Sequence, residues 1–237
     1  MKTGRLVSLE VKRNSVRPYQ IAVAISTFIM LGFIYLMAAI PRMDSEGGDV
    51  ELFSSYNFII GLTLVVIMGI FSVISATMAS KFIVDEYCGR KAMLLFSYPI
   101  SRRKIMGTKI LLVFLFTFVS MLISGAAVIT LFMITESLIL ISKDSVSLGL
   151  ILTSIIYLFC YALIAAFCGI VSSWFGFRQQ SVIATIVASC IIVIAVCQIA
   201  AMTFFNGVVM ILLLAGMGVV TFLSVKNMLN RAERMEI

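Results

Sequence analysis

The residues of this chain that could do chemistry are gathered in one stretch, Lys81–Lys109, KFIVDEYCGRKAMLLFSYPISRRKIMGTK. It holds seven of the eighteen Lys and Arg residues and lies between two long apolar segments. Each Lys or Arg at a bilayer centre costs about 2.5–3.5 kcal/mol on insertion scales, so such a block belongs in water. Its composition suits recognition of a soluble partner better than catalysis. The chain has no histidine, which removes H-E-x-x-H chemistry. Gly107-Thr108-Lys109 lacks the upstream glycine of a phosphate-cradling loop, and no Gly-x-Ser-x-Gly elbow occurs. Four of the five cysteines, Cys160, Cys168, Cys190 and Cys197, fall in apolar runs, and with Cys88 they form no C-x-x-C pair. Neither a metal centre nor a disulfide framework follows from them. The apolar runs hold essentially no ionisable residue: Glu136 stands at the end of one and Gln198 is neutral. No carboxylate proton relay is expected, and no catalytic, cofactor-binding or metal-binding residue is assigned to the chain.

Within that stretch, Asp85–Phe96 reads as a short helix. Tyr98-Pro99 should break it, because a residue before proline avoids the helical region. Ser101 is then available as the N-cap of the next helix.

The elements that must position this loop are membrane spans. The chain is 62% hydrophobic and 12% charged, against about 25% charged in soluble domains, too little to cover a water-facing surface. The fold class expected is an all-α integral membrane protein of six helices. The spans are placed at about 19–40, 58–80, 105–134, 148–172, 181–200 and 206–225, with an aqueous loop at 81–104. Residues 1–18 carry Lys2, Arg5, Lys12, Arg13 and Arg17 between Leu6, Leu9, Val7 and Val11 at helical spacing, which predicts an amphipathic segment on the membrane face. Residues 226–237 form a short tail. Sixteen of the eighteen basic residues then fall on one side, leaving Arg42 and Lys143 on the other. The positive-inside rule puts both termini and the Lys81–Lys109 loop in the cytoplasm. The net charge of +7 is accounted for by these loops, and no nucleic-acid groove is expected.

Two faces of small residues stand out. Ser72, Ala76 and Ser80 recur every four residues in the second span, with Ser75 and Ala79 beside them. Ala162, Ala165, Ala166 and Gly169 do the same in the fourth. Such spacing lets helices approach closely in lipid.

The loop also carries a resemblance. Glu86-x-x-Gly89, Leu94-Leu95, Ser97-Tyr98-Pro99-Ile100-Ser101-Arg102 and Gly107-Thr108-Lys109 resemble the cytoplasmic loop of type-2 ABC exporter permeases (the ABC-2 family). In those proteins an acidic residue, a glycine, a Leu-Leu pair and a Pro-x-x-Arg string follow the second span. The six-span layout and basic amphipathic start match as well. Arg90 stands where the family often has threonine. The resemblance implies a coupling helix at about Asp85–Phe96 that docks on a separate ATP-binding subunit, with ATP and Mg bound there and no cofactor in this chain. The docking residues so implied are Asp85, Glu86, Tyr87, Gly89, Met93, Leu94, Leu95, Pro99 and Arg102. Among the charges, Phe82, Tyr87, Met93, Leu94 and Leu95 would supply an apolar plug with a polar rim. The resemblance further implies a homodimer or a pairing with a second permease. Its setting would be a bacterial cell membrane, with export of an amphiphilic peptide antibiotic, drug or lipid-like substrate. A membrane scaffold or regulator that recruits a soluble partner through the same loop is the alternative.

Overall fold

The computed structural model describes residues 16–43, 56–87, 102–139, 148–203 and 206–234. It is all-helical, with six helices long and apolar enough to cross a membrane. They are α1 (Arg17–Met43), α2 (Tyr56–Tyr87), α3 (Arg102–Ile139), α4 (Leu148–Gln179), α5 (Val182–Met202) and α6 (Gly207–Arg234). The chain is a multi-pass membrane protein.

Local sequence sets the helix ends. Pro18 sits in the first turn of α1, where a missing N–H costs nothing, while the Val16 carbonyl accepts the N–H of Tyr19 and of Gln20. Between α4 and α5 the chain turns on Gln180, at φ 50°. Ser181 then caps α5, its side chain accepting from the Ala184 N–H. Asn206 starts α6 in the same way, its Oδ1 accepting from the Val208 N–H at 3.1 Å.

The centre of the bundle is the seam between α2 and α4. Ser72, Ser75, Ala76 and Ala79 on α2 are fully buried, as are Ala162, Ala165 and Ala166 on α4, so the two small-residue faces meet. Gly169 is indispensable to that approach: a Cβ there would lie 1.9 Å from Ser75 Oγ and 2.4 Å from Ser75 Cβ. Side-chain hydrogen bonds fasten the other helices, as expected where lipid offers polar groups no alternative. Thr117 of α3 bonds Ser75 at 2.9 Å, Thr27 of α1 bonds Ser124 of α3 at 2.6 Å, and Tyr161 of α4 bonds Thr203 at 2.7 Å. Ile21, Phe28, Ile191, Ile194, Ile211 and Phe222 are exposed on α1, α5 and α6, as suits faces turned to hydrocarbon.

The helices overrun the spans that hydropathy predicts. α2 continues to Tyr87, seven residues past its expected end, α4 runs to Gln179 and α6 to Arg234. α3 has 38 residues, about 57 Å at 1.5 Å per residue against a hydrocarbon core of about 30 Å. α1 continues two residues beyond Pro41. The overrun has a packing cause. At the end where α2, α4 and α6 finish and α3 starts, Phe82, Ile83, Val84, Met106, Ile110, Phe177, Met228 and Ala232 build a second hydrophobic core. Helix propagates wherever one face is buried, in lipid or out of it. This basic end also holds the start of α1, through Val16 and Tyr19. The expected loop at 81–104 is thus shorter: 81–87 belongs to α2 and 102–104 to α3. The residues between the fourth and fifth expected spans, 173–180, are helical up to Gln179, and the segment expected as a tail is helical to Arg234. The amphipathic segment expected at 1–18 lies outside the described residues except for its last three.

Candidate functional site

At the basic end, α2 departs from regular helix. Ser80–Val84 form one π-helical turn, in which the Asp85 N–H bonds back to Ser80 O, and Asp85–Tyr87 resume the α-helix. The wider turn inserts an extra residue into the helix. It buries three consecutive side chains, Phe82, Ile83 and Val84, where α3, α4 and α5 all pack on it. Lys81 alone in this turn is exposed.

Facing it on α3 is Lys109. It shares the inward stripe of Met106, Ile110 and Val113, and is 1% exposed. Its ammonium forms an ion pair with the Glu86 carboxylate, donates to the Phe82 carbonyl at 3.0 Å, and lies 5.6 Å from the centroid of the Tyr87 ring. A lysine ammonium has three donors, and these neighbours on α2 offer a carboxylate, a carbonyl and an aromatic face. The cluster extends outward by ring contacts: Tyr19 of α1 meets Phe82 edge-on at 5.8 Å, and Tyr87 meets Phe177 of α4 at 5.9 Å. Four helices therefore converge on one sealed ion pair. Two desolvated charges are costly unless their geometry satisfies both. The pair's physical role is to hold α2 and α3 in register.

A second polar cluster closes the opposite end. Glu136 of α3 is 3% exposed and accepts from the Tyr56 hydroxyl of α2. Tyr35 of α1 bonds Thr135 at 2.7 Å. The Phe132 ring lies between Tyr35 and Tyr56.

The structure distributes the expected docking residues unevenly. Asp85 is half-buried on the last turn of α2. Glu86 and Tyr87 are buried within the chain, and Phe82 with them. Phe82 and Tyr87, expected in the apolar plug, are packed in the second core, and Glu86, expected among the docking residues, is paired with Lys109 within the chain. Asp85 does not open a separate helix, since α2 is continuous through it. Arg102 is the first residue of α3. Gly89, Met93, Leu94, Leu95 and Pro99 lie outside the described residues. Sequence reasoning missed the buried partner, Lys109, by counting it with the loop's cations. The signal was available: Lys109 stands at i+3 from Met106 and i−4 from Val113, on a stripe that is otherwise apolar. Burial alone was unforeseen for Glu86, Lys109 and Glu136, which are buried at the two ends of the bundle.

No protein-family profile matches the chain, and no solved structure matches it. It is similar to a protein of Bacillus subtilis (strain 168) described as uncharacterized protein YcbO, with 25% identity over 191 residues, 81% of this chain and 82% of that protein.

Proposed function

We propose that this chain is the membrane-spanning permease subunit of an ATP-driven ABC exporter, without enzymatic activity of its own. The observation that carries the reading is the Glu86–Lys109 pair. It stands at the base of the 88–101 connection, whose residues bear the permease resemblance. Because α2 and α3 are bonded to each other there, a force applied to the connection reaches both helices together. An ATP-binding subunit seated on Leu94 and Leu95 would tilt α2 and α3 as one body, and the tight α2–α4 seam would carry the motion through the bundle. Two such permeases, identical or similar, would enclose the path in a bacterial cell membrane with the basic end in the cytoplasm. The cargo class is an amphiphilic peptide, drug or lipid-like molecule.

The test is affinity purification of the full chain from native membranes. Stoichiometric recovery of a subunit with a phosphate-binding loop, and no ATP binding by the chain alone, is expected. Recovery of a partner without such a loop would favour a scaffold and overturn the exporter reading.

A further inference from the structure

A groove of about 430 Å³ runs along the outer side of the α1–α3 contact. Its floor is the hydrogen bond between Thr27 and Ser124, and its walls are Phe28 and Ile123, which are 79% and 66% exposed. Two polar side chains also line it, Gln20 and Ser120. Gln20 is exposed and Ser120 half-buried, and neither side chain has a hydrogen-bond partner among the described residues. In a groove that opens toward lipid, such groups call for a ligand that carries acceptors. Arg17 is exposed one turn before Gln20 on the same face of α1.

We propose that this groove binds one anionic phospholipid. Arg17 and Gln20 hold its phosphate, Ser120 bonds its glycerol-ester region, and an acyl chain lies between Phe28 and Ile123. Size favours a single amphiphile. Ligand pockets span about 300–1,000 Å³, whereas a helix of a second copy is about 10–12 Å across and cannot enter between two helices already joined at Thr27–Ser124. Charge favours an anion. Lys81, Arg178, Lys226 and Arg231 are exposed at the same end as Arg17, while Asp85 there is half-buried and Glu86 is buried against Lys109. Anionic headgroups collect at such a rim. The site stands independently of the transport reading.

The test uses the full chain in phosphatidylcholine vesicles. Trp174 is the single tryptophan, so Trp174→Phe with Phe28→Trp places one indole on the groove wall. Brominated phosphatidylglycerol should quench it at a mole fraction about fivefold below that needed with brominated phosphatidylcholine. Arg17→Gln should abolish the preference, and Ser120→Leu, which fills the groove with an apolar side chain, should weaken it. Lys226→Gln should leave it intact. Equal quenching by the two lipids would overturn the site. Equal losses in Arg17→Gln and Lys226→Gln would do so too, by reducing it to general surface charge. No quenching by either lipid would mean that a second copy covers the groove, and would also overturn it.

Discussion

Lys109→Met removes a cation that is 1% exposed and leaves Glu86, whose side chain is 9% exposed, with its carboxylate in the second core. Breaking a buried pair from one side costs about 3–5 kcal/mol, because the remaining charge keeps its desolvation penalty. The residual exposure of Glu86 places the expected loss toward the lower end of that range. The Phe82 carbonyl loses the ammonium as well, which adds to the loss. For a chain of this length each kcal/mol corresponds to about 2–4 °C in midpoint, so the variant should unfold roughly 6–20 °C below the parent. Replacing both partners by apolar residues of similar volume is often neutral or stabilising. Glu86→Leu with Lys109→Met should therefore recover most of the loss. The charge swap Glu86→Lys with Lys109→Glu should recover less, since a carboxylate would then face the Phe82 carbonyl. Heating the detergent-solubilised protein and following the monodisperse fraction by size-exclusion chromatography gives the midpoints. A single variant as stable as the parent, or a double variant that loses the sum of the two single losses, would refute a sealed pair.

Gly169→Ala should destabilise by about 1–3 kcal/mol through overpacking, because its Cβ would meet Ser75 Oγ at 1.9 Å. Ser75→Gly in the same chain should recover part of the loss, offset by a helix-interior glycine and the lost Thr117 bond, and a double variant that loses the sum of the two single losses would contradict the seam. For topology, in a cysteine-less background, Ser45→Cys should react with an impermeant maleimide in intact cells and Ser97→Cys should react only after permeabilisation. Labelling of the second from outside would invert the orientation.

Much of the fold was legible because hydropathy and membrane thickness act on whole segments. The long apolar runs could become little else, and the spacings of Ser72, Ala76 and Ser80 and of Ala162, Ala165, Ala166 and Gly169 marked two packing faces, while their meeting at the α2–α4 seam is seen only in the fold. Helix ends were less legible. Charge density places the end of α2 just before Lys81, whereas Phe82, Ile83 and Val84 continue the helix. The burial that sustains them comes from α3, α4 and α5, all distant in sequence. The ion pair was hidden for the same reason. Glu86 and Lys109 lie 23 positions apart, and by composition each looks like one more charge in a hydrated loop. Only the packing of α2 against α3 turns them inward, and the carbonyl that meets the ammonium, that of Phe82, belongs to the π turn.

The most direct measurement is association with an ATP-binding subunit when Leu94→Ala and Leu95→Ala are combined. Truncating one buried apolar anchor typically costs about 2 kcal/mol or more, roughly thirtyfold in affinity. The double variant should insert and express as the parent does, yet lose the ATPase on affinity purification, while Lys91→Ala retains it. Parent-like recovery of the ATPase by the double variant would contradict docking through this loop.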